Sequence, residues 1–175
     1  TGSSHGGIIA IAGDRTISEP APVENGFYML LEGIEDPYNF GYALRSIYAA
    51  GADGVVLTPR NWMTAAGVVC RASAGASELL PLSVAEPIDA VGIFRAHGYK
   101  IVCADLRDAT DVYDTELKRP LLVIVGGERR GISRALLEAA DMRVKLPYGR
   151  QFGASLSAAT AASVIAYEVL RQTRS

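Results

Sequence analysis

Short runs of apolar residues recur along this chain, separated by longer segments in which apolar positions return less often. The clearest run is Leu121–Val125, which contains no polar residue and is mostly β-branched. A short, uninterrupted apolar run is typical of a strand that is buried on both faces of a sheet. The sequence predicts further strands at Phe27–Leu31, Gly54–Leu57, Leu79–Val84, Tyr99–Ala104 and Arg143–Leu146, with a candidate edge strand at Ile8–Ala12.

Between these runs, apolar residues are spaced three or four positions apart, as in a helix with one buried face. The predicted helices are Phe40–Ala50, Ala65–Ala74, Pro87–His97, Arg134–Ala140 and Ser155–Arg171, and the predicted loops are Asp14–Asn25, Asp105–Glu116 and Tyr148–Ala154. Asn39 and Ser133 are the predicted N-caps, and Gly51 and Gly98 are the predicted helix ends. Because strands alternate with helices, the predicted fold class is α/β, with a mainly parallel sheet flanked by helices.

The overall composition is that of one globular domain without a strong charge. The chain has 175 residues, of which 49% are hydrophobic and 21% charged, and its net charge is −2. This balance gives no overall basic surface for nucleic acid, although a local arginine patch could still bind RNA. Cys70 and Cys103 form no CxxC pattern, so free thiols in a reducing compartment are expected. The two histidines accompany no cysteine cluster, so no metal site is predicted.

The ends of the chain carry no sign of a membrane segment. No apolar run is long enough to span a bilayer, and the first residues do not form a signal-peptide pattern. The sequence therefore predicts a soluble cytoplasmic protein without membrane contact. Thr1–Gly7 is small and polar, and it is interpreted as a tail or the end of a linker.

A glycine-rich segment, Gly126–Gly131, directly follows the most strongly predicted strand. Strand, glycine-rich loop and helix, in this order, form a place where α/β sheets commonly bind a ligand. The segment matches neither Walker A nor GxGxxG, because Gly-Lys-Ser/Thr is absent and Glu128 occupies the middle glycine position. Since a carboxylate repels a pyrophosphate, a ligand here should be neutral or cationic where it meets Glu128. An ordinary turn with a charged tip is an equally good interpretation of this segment alone.

Three segments contain residues that could take part in binding or catalysis. In chain order they are Asp36–Ser46, Gly126–Ser133, and Leu146–Gly149 together with Ser155–Ser157. They resemble the three motifs of the SpoU/TrmH family of RNA ribose 2′-O-methyltransferases, which belongs to the SPOUT superfamily. The resemblance extends over Phe27–Gln172. It implies a deep trefoil knot near the C-terminus, S-adenosylmethionine as methyl donor, tRNA or rRNA as substrate, and a homodimer.

The resemblance also implies which residues hold the donor. They lie at the end of one predicted strand, in the glycine-rich segment and in the third motif. The implied donor-binding residues are Ala104, Asp105, Leu106, Gly126, Gly127, Leu146, Pro147, Ser155 and Leu156. The second and third motifs are expected to thread the knot and to hold the donor in a bent conformation.

The implied catalytic residues are Asn39, Arg45, Glu128, Ser155 and Ser157. Methyl transfer to a ribose hydroxyl requires removal of a proton and an in-line approach to the methyl group. In the family, the arginine that matches Arg45 is proposed to act on this hydroxyl, either directly or together with the RNA phosphate. Because a guanidinium stays protonated in water, orienting the hydroxyl and binding the adjacent phosphate is the easier role for Arg45. Glu128 could hold Arg45 through an ion pair, and Asn39 could position Arg45 or the substrate, or simply cap its helix.

Two departures from the family pattern leave other functions open. The third motif reads Ser155-Leu156-Ser157 where the family has Ser-Leu-Asn, and the run from Leu146 to Ser155 is longer than expected by one residue. The alternative is therefore a knotted domain that binds RNA or S-adenosylmethionine without efficient catalysis. A general α/β nucleotide-binding module is the third interpretation.

The resemblance also bears on domain organisation and assembly. The family often carries a small RNA-binding domain before the knot. Residues 1–7 would then be the end of the linker that follows it, and residues 8–175 the methyltransferase domain. For the expected homodimer, the first-motif helix offers Tyr42 and Tyr48 as aromatic contacts. The last helix offers small residues for close packing, namely Ala158, Ala159, Ala161 and Ala162.

Overall fold

A computed structural model describes residues 17–59 and 65–174 of the chain. Its strands are β1 (Phe27–Glu32), β2 (Gly54–Leu57), β3 (Leu82–Val84), β4 (Lys100–Ala104), β5 (Thr110–Asp111), β6 (Leu121–Gly126) and β7 (Met142–Lys145). Its helices are α1 (Pro37–Ala49), α2 (Ala66–Ala72), α3 (Ala76–Leu79), α4 (Pro87–Ala96), α5 (Arg134–Ala139) and α6 (Ala158–Thr173). A short 3₁₀ helix, Val112–Asp114, follows β5.

The seven strands form one sheet in the order β3-β2-β1-β6-β4-β7-β5, and every neighbouring pair is parallel. The predicted α/β class is confirmed. β6 is inserted between β1 and β4, so that Val125 has Leu31 on one side and Ala104 on the other. Because the strands run the same way, the carboxyl ends of β1, β6, β4 and β7 meet along one edge of the sheet. The trefoil knot stays a prediction.

Helices cover both faces of the sheet, which explains why the central strand β6 has no polar side chain and β1 and β4 have charged residues only at one end. One face packs against α1, α2 and α6, with Met29 and Val123 in this layer. The other face packs against α4 and α5, with Leu30 and Ile124 in that layer. Burial of one such side chain contributes about 1.5–3 kcal/mol, so the central strands form a stable frame for the loops at their ends.

The small residues of α6 have a different packing partner from the one that the sequence predicts. Its small residues were expected to pack against a second copy of the chain, but most of them are buried in the chain's own core beside α1. The buried ones are Ala158, Ala159 and Ala162. Their small size is therefore explained by close packing within one chain.

The start of α1 also differs from expectation, and the prediction that Asn39 caps this helix is wrong. The N-cap is Asp36, whose Oδ1 accepts a hydrogen bond from the Asn39 backbone N–H at 2.7 Å. Pro37 is the first helical residue, a position where its missing N–H leaves no bond unmade. The Asn39 side chain is therefore not used for capping. Gly51, with φ 79°, follows the end of the helix as predicted.

The segment between β2 and α4 contains two helices where one was predicted. The helix predicted over 65–74 ends at Ala72, because Ala74 and Gly75 adopt left-handed backbone conformations with φ 52° and 83°. The chain then forms α3, so the strand predicted over 79–84 is confined to β3. The loop predicted over 105–116 likewise contains β5 and the 3₁₀ helix.

The helices α6 and α5 both begin next to the predicted motifs. α6 begins at Ala158, later than the predicted start at Ser155, so Ser155 and Leu156 lie in the preceding loop. Ser133 occupies the N-cap position of α5 as predicted, although its side chain makes no capping hydrogen bond.

Two predictions about the N-terminus cannot be compared with the structure. The candidate strand over 8–12 and the tail or linker over 1–7 lie outside the described residues. Within the described ranges, no helix has the length and apolar character needed to cross a membrane.

Candidate active site

A cleft opens at the carboxyl edge of the sheet, where the ends of β4, β6 and β7 meet the start of α6. Its volume is about 240 Å³, several times the share of one water molecule in the liquid, so a ligand larger than solvent fits. Most of its lining side chains are apolar. The charged ones are Asp105, Glu128 and Lys145.

Gly126 and Gly127 form one wall of the cleft, and a larger residue fits at neither position. A Cβ atom on Gly126 would lie 2.6 Å from the Ile132 backbone nitrogen and would overlap the Gly131 backbone. A Cβ atom on Gly127 would overlap the carbonyl group of Gly33, just after β1. The close approach of three backbone segments therefore explains both glycines without any phosphate ligand.

The loop after β6 closes on itself before α5 begins. The Gly131 N–H donates a hydrogen bond to the Gly127 carbonyl oxygen at 2.9 Å, and Gly131 has a left-handed backbone with φ 63°. Glu128, Arg129 and Arg130 occupy the exposed tip of this turn. The turn thus presents one carboxylate and two guanidinium groups beside the cleft, on a backbone fixed by its own hydrogen bond.

The opposite wall is the loop between β7 and α6, which a tyrosine holds in place. The Tyr148 hydroxyl accepts a hydrogen bond from the Leu156 backbone N–H at 3.0 Å. The Tyr148 ring also meets the Phe152 ring in an edge contact, with centroids 6.0 Å apart. Tyr148, Ser155 and Leu156 all line the cleft. Tyr148 is missing from the predicted site, because a single tyrosine in a loop gives no distinctive pattern.

The third side of the cleft is the turn after β4, which Asp105 stabilises. Its Oδ1 accepts hydrogen bonds from the Leu106 N–H at 2.7 Å and from the Arg107 N–H at 3.3 Å. An Asp side chain bonded to the backbone just after it is a common turn-forming arrangement. The Asp105 N–H donates to the Val144 carbonyl oxygen at 3.0 Å, which ties the turn to β7. The Asp105 carboxylate therefore shapes the cleft through its own loop.

The structure brings the predicted donor-binding residues together, with one exception. Those that line the cleft are Ala104, Asp105, Leu106, Gly126, Gly127, Leu146, Ser155 and Leu156. Pro147 is exposed and is not part of the lining. The lining residues that the sequence did not predict include Ile132, Val144, Ala158, Ala161 and Ile165. Apolar residues at strand or helix spacing look like ordinary core, so nothing in the sequence distinguishes them.

A second cavity lies beside the first, between the end of β1, the start of α1 and the loop after β6. Its volume is about 180 Å³, and Glu128 and Ala158 border both cavities. The Asn39 side-chain amide donates a hydrogen bond to Glu128 Oε1 at 3.3 Å. Arg129 Nη1 lies 3.5 Å from Glu35 Oε2 at the rim. Asn39 and Glu128, both predicted catalytic residues, are thus in contact where an apolar cleft meets a polar cavity.

Arg45 lies elsewhere, on the exposed surface of α1, and it lines neither cavity. It makes no hydrogen bond or ion pair with any residue in the ranges 17–59 and 65–174. The predicted ion pair between Arg45 and Glu128 is therefore wrong, and Glu128 instead accepts a bond from Asn39. Relative to Asn39, Arg45 is rotated about the helix axis by roughly 240° beyond a full turn, so the two side chains face different directions.

Ser157 is the N-cap of α6, and it does not line the cleft. Its Oγ accepts a hydrogen bond from the Thr160 backbone N–H at 3.2 Å and lies 2.9 Å from Thr160 Oγ1. Such a cap stabilises a helix by about 1 kcal/mol. The Ser157 hydroxyl is therefore used for capping, whereas Ser155 lines the cleft.

The cysteines offer no nucleophile to this site. Both are free, as predicted, and Cys103 lies within β4 under the cleft. Burial raises the pKa of the Cys103 thiol to about 12, so the thiol is neutral at physiological pH. In the part of the chain that the structure describes, no group of His, Cys, Asp and Glu residues has the arrangement of a metal site.

Fold and site together define the class: a parallel α/β domain with its ligand cleft at the carboxyl edge of the sheet. The chain belongs to the SpoU rRNA Methylase family, whose model matches residues 26–167. This match confirms the resemblance found in the sequence. A Staphylococcus haemolyticus protein assigned to the TrmH family of tRNA/rRNA methyltransferases is 35% identical in an alignment of 148 residues that covers 82% of this chain. The chain spans 58% of the length of that relative.

Solved structures share this fold over most of the chain. An RNA 2′-O ribose methyltransferase superimposes with a TM-score of 0.83 and 28% identity, covering 93% of this chain and 62% of the other. An rRNA methyltransferase from Sinorhizobium meliloti with bound S-adenosylmethionine (AdoMet) gives 0.82 and 26%, covering 90% and 62%. The SpoU methyltransferase AviRb from Streptomyces viridochromogenes, also in complex with AdoMet, gives 0.78 and 31%, covering 88% and 60%.

Proposed function

We propose that this chain transfers a methyl group from AdoMet to a ribose 2′-hydroxyl of tRNA or rRNA. The observation that carries the proposal is the cleft at the carboxyl edge, where the predicted donor residues converge on the Gly126 and Gly127 turn. Family membership supports RNA methylation. One of the similar structures is an RNA 2′-O ribose methyltransferase, which supports the ribose as the target.

The residues of the cleft suit AdoMet as a ligand. Val144, Leu156 and Ile165 supply apolar surface for an adenosyl group, and the turns at Gly126 and Leu146 supply backbone polar groups. Glu128 places a carboxylate at the inner boundary, which attracts a ligand that is positively charged there, as a sulfonium is. AdoMet supplies an electrophilic methyl group when bound. Glu128, which borders both cavities, would hold the positively charged part of the donor beside the second cavity.

The second cavity is the proposed site of the target ribose. Most of its lining residues have polar or charged side chains, and it shares Glu128 with the donor cleft. The Asn39 amide nitrogen is engaged with Glu128, which leaves the amide oxygen to accept a hydrogen bond from a sugar hydroxyl. Arg45 lies outside both cavities, so it is proposed to act on the RNA phosphate next to the ribose and to orient the hydroxyl through that contact, because a guanidinium binds phosphate in a bidentate manner.

A homodimer is part of the same proposal. Tyr38, Tyr42 and Tyr48 on α1 are exposed by 54%, 51% and 43%, and Arg45 lies on the same helix. Aromatic residues and arginine are enriched in protein interfaces. Sedimentation of the purified chain at micromolar concentration tests the assembly, and a monomer mass contradicts it. A cytoplasmic location and an RNA-binding segment in a longer protein also remain proposals.

Methyl transfer to RNA is the direct test of the function. The purified chain is incubated with isotope-labelled AdoMet and with separate tRNA and rRNA preparations that lack ribose methylation. The RNA is then digested, and the nucleosides are identified by mass spectrometry. We expect label in a 2′-O-methylnucleoside, and label on a base would contradict the ribose assignment.

Binding without efficient catalysis is the second candidate, and two observations favour it. The Ser157 hydroxyl is occupied by the α6 cap, and Arg45 lines neither cavity of its own chain. This candidate predicts donor binding in calorimetry together with no label in any RNA. Donor binding together with label in RNA excludes it.

A further inference from the structure

The loop between β7 and α6 carries an exposed aromatic ring at the mouth of the cleft. Phe152 is 60% exposed, and its ring makes an edge contact with Tyr148 at 6.0 Å and an interplanar angle of 61°. Tyr148 in turn lines the cleft and is fixed by its hydrogen bond to Leu156. The Phe152 ring is therefore held beside the cleft by a residue that belongs to it.

An exposed arginine with no acid partner in the described part of the chain lies close to this ring in the sequence. Arg150 lies between the two aromatic residues in sequence, is exposed, and has no hydrogen bond or ion pair to any described residue. Some arginines elsewhere are paired with carboxylates, for example Arg95 with Asp141 at 3.1 Å and Arg119 with Asp53 at 3.2 Å, whereas Arg45, like Arg150, has no such partner among the described residues. The cleft mouth thus combines an exposed aromatic face with a guanidinium that has no acid partner within the described ranges.

This combination is the one that recognises unpaired RNA. Bases that have left their helix stack on aromatic side chains, and guanidinium groups bind the neighbouring phosphates. A base inside a duplex is covered on both faces by its neighbours and cannot offer a face to a protein ring. A single exposed phenylalanine is ordinary on a protein surface, so exposure alone does not indicate RNA binding. The location of Phe152 beside the cleft and close to Arg150 does indicate it.

We propose that Phe152 stacks on the base of an unpaired nucleotide at the cleft mouth, with Arg150 on the adjacent phosphate. The inference rests on the proposed function and narrows its substrate to RNA that presents an unpaired nucleotide. Phe152 is then a positioning residue: it touches the base, while the ribose enters the second cavity. The ring selects single-stranded over paired RNA, and it has no role in binding the donor.

The test replaces Phe152 by alanine, by leucine, which keeps apolar bulk without a ring, and by tyrosine, which keeps the ring. Leu79→Ala is the matched control, because Leu79 is 64% exposed on α3 and lines neither cavity. Fluorescence anisotropy measures the binding of a labelled single-stranded oligouridine and of an RNA duplex of equal length. Calorimetry measures AdoMet affinity, and sedimentation measures the mass of the assembly.

We expect Phe152→Ala to weaken oligouridine binding by about fivefold or more, the scale of losing one stacked base. Leucine should behave like alanine, and tyrosine and the Leu79 control like the wild type. Duplex binding, donor affinity and mass should not change. Equal oligouridine binding by the wild type and Phe152→Ala would overturn the stacking role, as would rescue by leucine.

Two further outcomes separate this inference from the function on which it rests. A joint loss of donor affinity or a change of mass in Phe152→Ala would identify the ring as structural or as an interface residue, and would overturn the inference. Wild-type chain that binds AdoMet but methylates no RNA would overturn the proposed function. The stacking role then stands or falls on the oligouridine comparison alone.

Discussion

The two cavities that meet at Glu128 are built in different ways. The donor cleft consists of strand ends, glycine turns and apolar side chains, and its shape is fixed by backbone contacts such as Gly131 to Gly127. The second cavity is lined mainly by polar side chains, among them half-buried Asn39, which bonds Glu128, and exposed Arg129, which pairs with Glu35.

This difference indicates that donor binding depends on the backbone of the first cleft and substrate turnover on the side chains of the second cavity. A cleft formed by backbone is preformed and is damaged most by changes that displace the backbone. A polar cavity formed by side chains gains its geometry when substrate binds, because exposed pairs contribute little on their own. Donor binding and substrate turnover should therefore be separable by mutation.

The largest separation is expected for Arg45→Ala. Turnover should fall by roughly a hundredfold or more, the scale of misplacing a reacting group in the site, while donor affinity stays unchanged. Arg45→Lys should rescue poorly, because an ammonium lacks the bidentate geometry. The assay is steady-state methylation of RNA beside donor titration. Arg174→Ala, which removes another exposed arginine, is the control. Near-normal turnover by Arg45→Ala would retire the proposed role.

Gly126→Ala should have the opposite effect and should impair donor binding directly. The new methyl group would overlap the Gly131 backbone, and overpacking of this kind costs about 1–3 kcal/mol. Donor affinity should fall by about tenfold or more, which calorimetry measures. Gly149→Ala is the matched control, because a Cβ there meets no heavy atom within 4 Å. Unchanged donor affinity in a folded Gly126→Ala would show that the ligand does not use this wall.

A smaller effect on the cleft is expected for Tyr148→Phe. It removes only the hydroxyl that accepts the Leu156 N–H, a contribution of about 1 kcal/mol, so donor affinity should fall by about fivefold. Calorimetry at constant pH gives the value. A change in turnover without a change in donor affinity would instead assign Tyr148 to the substrate side.

The smallest effect is expected for Glu128→Gln, which keeps the size and the acceptor for Asn39 but removes the charge. AdoMet affinity should fall by about twofold to fivefold, as for a partly exposed charge pair. The demethylated product carries no sulfonium charge, so its affinity should hardly change. A parallel loss for both ligands would contradict an electrostatic role and point to altered loop geometry.

The sequence was sufficient for the features that depend on steric necessity. The run 121–125 has no polar residue because helices cover both of its faces, and Gly126 and Gly127 stand where no Cβ fits. The sequence predicts a feature less well when two nearby residues could both have the same role. Asp36 and Asn39 are both good caps, and only the structure shows that Asp36 has this role.

The sequence also does not predict which side chains point into the cleft once the helices have packed on the sheet. The family resemblance implies that Arg45 and Glu128 belong to one site, but the sequence does not show which side of α1 carries Arg45 once the helix has packed on the sheet. Tyr148 and Ile165 line the cleft as single apolar or aromatic residues, a pattern that loops and cores produce everywhere. The predicted knot, dimer and upstream domain depend on the family resemblance and remain to be tested by experiment.

The central claim is that the cleft beside Gly126 and Glu128 binds AdoMet. Titration calorimetry of AdoMet into the purified chain, repeated in the presence of excess ATP, tests this claim most directly. We predict saturable binding of AdoMet that ATP does not displace, because the Glu128 carboxylate favours a cation and repels a polyphosphate. Absence of binding, or displacement by ATP, would contradict the claim and would favour a general nucleotide-binding module.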